Sequence, residues 1–387
     1  MNENIIPSNK IHTINDARNL AKKRLPKLVF DFIDGASGDD KLSEINSIAL
    51  DQIRLQPKVL RNVEKRSLKK NIFDCEYDYP FGFAPMGMTN LAWPKADKML
   101  AQESVINNIP TCVSMASSTT LERMYEYSEG HSWMQIYIFQ SEEFVMELLK
   151  RAENIGYKVL ILTVDVPILS RRARDERNGF GYPFKMGPNQ FIDFALHPKW
   201  SLNTLLYGAP KPMNYVTSKS GDQIFRRKES RGTTDWKTLD RVRNAWKGKL
   251  IVKGVMSPED ALKIKDTGAD AIQVSNHGGR QLDSATPSID ALPKIRDAIG
   301  NDFPIIFDSG IRSGSDIIRA LALGANFVMM GRPLMYAIAA DGAKGLKRIL
   351  NIIKEELSTN LGLVGLTDVN DISAEVVAEK VFQNIKY

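Results

Sequence analysis

The segment IQVSNHGGRQLD, residues 272–283, places a histidine directly before two glycines, with an arginine three residues beyond that histidine. An imidazole can take up or release a proton near neutral pH, and a guanidinium binds a carboxylate through its forked N–H donors. We therefore interpret His277 as a candidate general base and Arg280 as a candidate carboxylate ligand. The other three histidines lack cationic neighbours at a predicted strand end, so we interpret them as structural residues.

Two more charged residues belong to this chemistry. Asp165 lies near the end of the apolar run VLILTVDV, and Arg172 follows that run. Asp165 could pair with the imidazole of His277 and stabilise its protonated form, while Arg172 could hold the carboxylate a second time. One histidine, one aspartate and two arginines suit removal of a proton from a small acid that bears a hydroxyl group.

Polar residues also lie at the ends of other apolar runs. They are Gln135, Tyr137, Thr163, Lys253, Ser275 and Asn276. Each alone could be a solvated loop residue at the surface. Because the active groups of parallel barrels come from the carboxyl ends of the strands, the set as a whole favours a single site.

The segments DSGIRSGSD and GRP follow the last two predicted strands. Barrels often bind phosphate at these two loops through backbone N–H groups and a helix N-terminus. Gly310 and Gly331 would let the backbone approach a ligand closely, and Arg312 and Arg332 would supply positive charge. This pattern favours a phosphate-bearing cofactor over two turns with surface arginines.

Eight β-rich runs bounded by turn residues must position these groups. They span residues 80–85, 110–115, 133–139, 159–166, 249–255, 270–276, 303–310 and 326–331. Seven of them are apolar throughout, as in parallel strands covered on both faces, and segments of helical period separate most of them. No G-x-G-x-x-G follows any run. The pattern predicts a (β/α)8 TIM barrel rather than an open doubly wound sheet.

The predicted barrel spans residues 80–387, with an N-terminal helical segment, residues 1–79, packing on it. The fourth and fifth runs are much further apart than the other neighbours, which predicts a long insertion at about 178–240. The insertion is rich in aromatic and basic residues. A peripheral membrane contact and a folded lid over the site both remain open for it.

Composition limits the class of protein. The chain has 387 residues, 43% of them hydrophobic, and a net charge of +6, which suits an anionic substrate, a phosphate-bearing cofactor or an acidic membrane surface. Its two cysteines have no metal-binding spacing, and we find no nucleic-acid-binding motif, signal peptide or membrane-spanning run. We therefore expect a cytoplasmic protein without a metal site or a nucleic-acid partner.

Several of these segments carry a resemblance to a known family. They are LPKLVFDFIDGA, APMGMTNLAWPKAD, LTVDVPILSRR, LIVKGV, SNHGGRQLD, FDSGIRSGSDIIRALALGA and MGRP. The chain resembles the FMN-dependent 2-hydroxy acid dehydrogenase and oxidase family, which includes glycolate oxidase, flavin L-lactate dehydrogenase and mandelate dehydrogenase. The resemblance covers nearly the whole length. It implies a flavoprotein oxidoreductase that converts a small, lactate-like L-2-hydroxy acid into the 2-oxo acid.

The resemblance also implies roles for individual residues. His277 resembles the catalytic base and Asp165 its partner, while Arg172 and Arg280 resemble the pair that holds the substrate carboxylate. Tyr137 resembles a hydroxyl that orients the substrate. The implied FMN contacts are Pro85, Met86, Gly87, Ser114, Gln135, Thr163, Lys253, Ser275, Asp308, Gly310, Arg312, Gly331 and Arg332. Among these, Lys253 resembles the lysine beside flavin N1 and O2. The sequence leaves open whether the hydrogen on C2 leaves as a hydride or as a proton.

Two residues depart from the family pattern. Phe32 stands where a substrate-contacting tyrosine is usual, and the lost hydrogen bond of about 0.5–1.5 kcal/mol predicts weaker binding or a different substrate. Gly87 stands where the oxidases tend to carry alanine, which favours a quinone or another carrier over oxygen as electron acceptor. An oxygen-using oxidase that makes hydrogen peroxide and a flavin-binding protein without turnover are the alternatives. The resemblance further implies a homotetramer and, through the insertion, contact with the inner face of the cell membrane.

Overall fold

The computed structural model describes residues 8–138, 142–181, 186–215 and 234–380. The chain begins with three helices, α1 (Ile14–Arg24), α2 (Lys27–Asp34) and α3 (Lys41–Asp51). Three short strands follow, β1 (Ile53–Leu55), β2 (Lys70–Ile72) and β3 (Cys75–Tyr77). The helices of the predicted N-terminal segment therefore end well before residue 79.

Within the described residues, eight parallel strands then close into a barrel in chain order. They are β4 (Phe81–Met86), β5 (Thr111–Ser114), β6 (Ser132–Ile136), β7 (Val159–Thr163), β8 (Lys249–Val255), β9 (Ala271–Val274), β10 (Ile305–Phe307) and β11 (Phe327–Met330). Phe81 pairs with Val328, so β4 and β11 close the ring. The predicted barrel is confirmed.

Each barrel strand lies at one of the eight predicted runs, but several strands are shorter than their runs. The run 303–310 contributes only Ile305–Phe307 to the ladder, because Asp308 and the residues after it leave the sheet at its carboxyl edge. Residue 139, the end of the third run, lies outside the described residues. Most strand residues are buried, as expected for strands covered by helices outside and by the barrel interior.

Helices alternate with these strands around the barrel. They are α4 (Ala96–Ile106), α5 (Leu121–Tyr127), α6 (Glu142–Ile155), α7 (Ala173–Arg177), α8 (Pro188–Leu196), α9 (Pro198–Tyr207), α10 (Trp236–Ala245), α11 (Pro258–Asp266), α12 (Ser288–Ile299), α13 (Gly314–Ala322) and α14 (Arg332–Leu363). The last strand, β12 (Val377–Lys380), pairs antiparallel with β1. That partner comes from the far end of the chain, so no local pattern near residue 53 could indicate it.

The N-terminal helices belong to the same packed body as the barrel. α1 packs on α14, and α3 packs on the turn at His277. One buried core contains Ala17 and Val29 together with barrel residues such as Leu162. The division of the chain at residue 79 stays a prediction, since the two parts share this core.

The predicted insertion contains α8 and α9, which lie above the carboxyl ends of the strands, and the start of α10. Residues 182–185 and 216–233 of that prediction lie outside the described residues. No helix in the described ranges combines the length and the apolar character needed to cross a membrane.

Candidate active site

A cavity of about 250 Å³ lies at the carboxyl ends of the barrel strands. The predicted site residues that line it are Phe32, Pro85, Met86, Gly87, Ser114, Tyr137, Thr163, Arg172, Lys253, His277, Arg280, Asp308, Gly310, Arg312, Gly331 and Arg332. The other three, Gln135, Asp165 and Ser275, lie behind the wall, and each contacts a residue that lines it. The structure thus brings the whole predicted set together.

His277 begins a short 3-10 turn, His277–Gly279, that follows β9. Its Nδ1 lies 2.9 Å from Oδ1 of Asp165. His277 itself has a φ of 58°, and the two glycines after it also have positive φ values. A side chain at Gly279 would come within 2.6 Å of the backbone nitrogen of Ser43. Gly279 therefore lets the turn press against α3 while the imidazole faces Asp165, and Gly278 leaves room for the guanidinium of Arg332.

Burial sets the charge of this pair. It lowers the pKa of His277, and the nearby Lys253 lowers it further, while the Asp165 carboxylate opposes both effects. Burial also raises the pKa of Asp165, but at the acid pH where Asp165 titrates, the protonated His277 and Lys253 outweigh burial and hold that pKa below its ordinary value. We infer an ionised carboxylate beside an imidazole that is neutral near pH 7 and can accept a proton.

Lys253 is a buried cation in the floor of the cavity. Its Nζ donates to Oγ of Ser275 at 2.9 Å and lies 3.7 Å from Asp165 and 3.6 Å from Asp308. Burial favours the neutral amine, yet the two carboxylates outweigh burial and raise the pKa of Lys253. The cavity therefore contains a fixed positive charge.

Polar side chains link neighbouring strands at the same level. Ser114 Oγ lies 3.0 Å from Oε1 of Gln135, and Nε2 of Gln135 donates to Oγ of Thr163 at 3.0 Å. These contacts orient three polar groups on β5, β6 and β7 around the barrel mouth. Their fixed orientation suits recognition of a heteroaromatic ring edge by hydrogen bonds.

Four arginines line the cavity, and two of them, Arg172 and Arg332, lie close enough to Arg280 to affect its charge. Arg280 donates through Nη1 to the carbonyls of Phe32 at 2.9 Å and Gly35 at 3.2 Å. Burial, followed by the positive charges of Arg172 and Arg332, lowers the pKa of Arg280 well below its ordinary value. Because like charges are held together in a buried place, this cluster favours an anionic ligand.

Two aromatic rings border the arginines. The ring of Phe32 stacks on Phe180, with centroids 4.5 Å apart, and the guanidinium of Arg280 lies 5.4 Å from the Phe32 centroid. The ring of Tyr137 lies 6.4 Å from that of His277. Phe32 thus contributes an apolar wall at the position where the family pattern has a hydroxyl.

The far end of the cavity has the features of a phosphate site. α14 begins there with Gly331 as its N-cap and no side-chain cap, whereas Ser313 caps α13. An uncapped helix start presents N–H groups without intrahelical partners. The guanidinium of Arg332 donates to the carbonyls of Gly278 and Gly35. Arg332 therefore contributes positive charge to this end of the cavity, while those two N–H groups are already used.

These groups fit the FMN that the sequence resemblance implies. A helix N-terminus and arginines suit a phosphate, and the polar groups on β5 to β7 suit the edge of a flavin ring. The buried ammonium of Lys253 suits the part of the ring that gains negative charge on reduction. A side chain at Gly87 would come within 2.9 Å of Cβ of Ala116, so the backbone there is already closely packed.

Sequence reasoning missed three polar residues around this cavity. Gln273 donates to Oδ2 of Asp308 at 2.6 Å, and Ser309 Oγ donates to Oδ1 of the same carboxylate at 2.8 Å. Gln281 donates to the backbone carbonyl of Asp165 at 2.9 Å. Only Gln273 left a signal, as a polar residue inside the otherwise apolar run of β9.

Comparison with known proteins gives the family. The chain matches the family described as FMN-dependent dehydrogenase over residues 21–379. It is 34% identical to L-lactate dehydrogenase of Pseudomonas syringae pv. syringae (strain B728a) over 378 residues, which are 96% of this chain and 99% of the relative. It is 33% identical to (S)-mandelate dehydrogenase of Pseudomonas putida over 381 residues, which are 97% of this chain and 96% of the relative.

A solved structure agrees with these matches. A crystal structure of a monotopic membrane protein, (S)-mandelate dehydrogenase, superposes with a TM-score of 0.91 and 34% identity, covering 96% of this chain and 99% of that one. The family match includes every residue that lines the cavity. The expectation of an FMN-using dehydrogenase is therefore confirmed. On sequence and on structure alike, the chain belongs to the FMN-dependent dehydrogenase family.

Proposed function

We propose that this enzyme oxidises an L-2-hydroxy acid to the 2-oxo acid, with His277 as the base that takes the hydroxyl proton. The observation that carries the proposal is the His277–Asp165 pair, 2.9 Å apart, beside two arginines that line the same cavity. The relatives named above act on lactate and on mandelate, each of which has a carboxylate next to a carbon that bears a hydroxyl.

The carboxylate of the substrate binds to Arg172 and Arg280. The carbonyls of Phe32 and Gly35 hold the Arg280 guanidinium in place, so little side-chain freedom is lost when the anion binds. A carboxylate also relieves the repulsion between the buried guanidinium groups. The hydroxyl of Tyr137 orients the group on C2.

The proton moves to the free nitrogen of the imidazole. Because Nδ1 of His277 faces the ionised Asp165, the proton of the neutral ring stays on Nδ1 and Nε2 is the atom that accepts. The imidazolium that forms is stabilised by Asp165, whose carboxylate is already in contact with it. Gln281 and Lys253 hold Asp165 from its other sides.

The cofactor supplies the redox chemistry: FMN, when bound, accepts the two electrons that leave C2 of the substrate. Lys253 would stand beside the flavin ring and stabilise the negative charge that develops on it. The residues that would hold the rest of the cofactor are Pro85, Met86, Gly87, Ser114, Gln135, Thr163, Ser275, Asp308, Gly310, Arg312, Gly331 and Arg332.

We propose a quinone or another carrier as the electron acceptor. Gly87 supports this proposal, because it follows the dehydrogenases of the family rather than the oxidases. The two relatives compared above are both named dehydrogenases, which points the same way. By the same resemblance we propose a homotetramer in the cytoplasm.

The insertion supports a peripheral membrane contact. None of the residues of α8 is buried, and large apolar side chains on α8 and α9 that do not line a cavity are exposed to solvent, Leu196 by 73% and Leu206 by 79%. Patches of this kind mark interaction sites, and a solved relative is described as a monotopic membrane protein. We propose that α8 and α9 dock at the inner face of the cell membrane.

Anaerobic reduction of the purified yellow enzyme tests this function. L-2-hydroxy acids should bleach the flavin spectrum rapidly, and their D-enantiomers should not. Mixing the reduced enzyme with oxygen or with a soluble quinone then identifies the acceptor, and we expect the quinone to react faster. A flavin that no L-2-hydroxy acid reduces would refute the proposed activity, and rapid reoxidation by oxygen would make the enzyme an oxidase.

A further inference from the structure

A second, much larger cavity of about 1150 Å³ lies between the barrel mouth and the helices α8 and α9. We name it the apolar chamber. Residues that define its wall are Leu28, Leu91, Phe180, Phe194, Trp200 and Tyr215. Drug-sized ligands occupy cavities of roughly 300–1,000 Å³, so the apolar chamber is large enough for a ligand of that size.

Hydrogen bonds and ring contacts join the wall of the apolar chamber to the barrel. Trp200 on α9 is buried, and its Nε1 donates to the carbonyl of Leu91 at 2.7 Å. Its ring lies 5.1 Å from that of Phe194 on α8. Beyond α9, Oδ1 of Asn214 accepts from the backbone nitrogen of Leu121 at 2.9 Å. These contacts, all between described residues, hold α8, α9 and the segment after α9 against the barrel and so define the wall of the apolar chamber.

The apolar chamber is continuous with the candidate active site. Phe32, Ala116, Tyr137, Arg172 and His277 line both cavities. A substrate whose carboxylate binds Arg172 and whose hydroxyl faces His277 therefore has its remaining substituent on C2 close to the apolar chamber. In lactate that substituent is a methyl group, which would leave nearly all of this apolar wall in contact with water.

We propose that the apolar chamber binds the side chain of the substrate, and that the preferred substrates are L-2-hydroxy acids with a long aliphatic chain. This inference rests on the proposed function and makes its substrate class narrower. Phe32 lines both cavities, and its ring stacks on Phe180 in the wall of the apolar chamber, so the two rings offer apolar surface to a substrate side chain that extends from one cavity into the other. Phe32 thus acts as a specificity-determining residue.

The test is the anaerobic rate of flavin reduction by a series of acids, from lactate to 2-hydroxydodecanoate, on the holoenzyme. This half-reaction involves no electron acceptor, so it reports on the substrate alone. The second-order rate constant should rise roughly two- to fourfold for each added methylene group until the chain fills the apolar chamber. A series in which lactate reacts as fast as the longer acids would overturn the inference, while leaving the proposed function intact.

Two variants on α9 test whether the preference for long chains arises in the apolar chamber. Thr204 on α9 lines the apolar chamber, while Leu206 on the same helix does not. Thr204→Trp should lower the rate constant for the longest acids at least tenfold and leave that for lactate unchanged; Leu206→Trp should alter neither. If Thr204→Trp instead slows only reoxidation by a long-tailed quinone, the apolar chamber is an acceptor site and the proposal is wrong.

Discussion

At the scale of single residues, the site depends on the protonation states of Asp165 and His277, which are set by burial and by the nearby charges. Burial raises the pKa of Asp165, but Asp165 keeps its negative charge because His277 and Lys253, which both face it, outweigh burial and lower that pKa. His277 stays neutral because burial and Lys253 outweigh the attraction of Asp165. The base is thus free to accept a proton, and its partner is ready to stabilise the product.

The pH dependence follows from the lowered pKa of His277. The base works only when it is neutral, so the rate of flavin reduction should be constant above about pH 6.5 and fall as pH drops below that ordinary value. Asp165→Asn removes the opposing carboxylate and should shift the fall to still lower pH, with a smaller limiting rate. Stopped-flow pH profiles of both proteins check this, and an inflection above pH 6.5 in the unmodified enzyme would contradict it.

Removing the imidazole tests its role directly. His277→Gln should retain FMN and the yellow colour, yet reduce the flavin about 10²- to 10⁴-fold more slowly, which is the usual contribution of a general base. His12→Gln, a change at an exposed histidine in the N-terminal segment, is the matched control and should leave the rate unchanged. Rapid reduction in His277→Gln would exclude it as the base.

At the scale of elements, the barrel strands could be predicted from the sequence, but the packing of side chains around the barrel mouth could not. Parallel strands covered on both faces need unbroken apolar runs, and because all eight end at one rim, residues such as Lys253 and Asp165 could be grouped from sequence. Gln273 was missed because a single glutamine in an apolar run has no distinctive spacing. The Phe32–Phe180 stack depends on tertiary packing, which local pattern does not encode.

Most apolar side chains of α8 and α9 are not covered by the rest of the fold. In the described part of the chain, only Trp200 is buried on these two helices, and it anchors them to the barrel. The other apolar side chains face either the apolar chamber or solvent. The two proposals made above therefore concern different faces of the helices, one for a ligand and another for a membrane.

Membrane docking by this outer face can be separated from catalysis. Ile192→Glu combined with Leu206→Glu should abolish co-sedimentation with vesicles that contain anionic lipid, because two charges replace exposed apolar side chains. Val59→Glu with Leu363→Glu, at exposed sites elsewhere, should still sediment. Flavin reduction by lactate should be unchanged in both. Unaltered sedimentation of the first variant would exclude these helices as the docking surface.

At the scale of the whole molecule, one carboxylate joins four helices. Asp34 at the end of α2 accepts from Arg18 of α1 at 2.6 Å, from Arg174 of α7 at 2.7 Å and from Tyr336 of α14 at 2.7 Å. Burial favours the neutral acid, but these hydrogen bonds outweigh it and hold the pKa of Asp34 well below its usual range. The stabilisation is therefore present above about pH 4 and lost as pH falls further.

Removing this carboxylate should loosen the whole molecule. Asp34→Ala removes a partner from Arg18, which is partly exposed, and from Arg174, which still pairs with Asp40 at 2.6 Å. It should lower the free energy of unfolding by about 1.5–3 kcal/mol, measured by urea denaturation of the holoenzyme. Glu44→Ala, which removes an acidic side chain from the neighbouring helix α3, should have little effect. A change below 1 kcal/mol in Asp34→Ala would show that this carboxylate does not hold the four helices together.

The hydrogen bonds of Arg280 and Arg332 also order events during synthesis. Both guanidinium groups rest on carbonyl oxygens of residues 32–35, which leave the ribosome long before either arginine does. The anion site therefore forms only after Arg280 and Arg332 have packed against residues 32–35. A nascent chain in which these hydrogen bonds have not formed has an incomplete anion site, so we expect it to retain the flavin only once residues up to Arg332 have been made and folded.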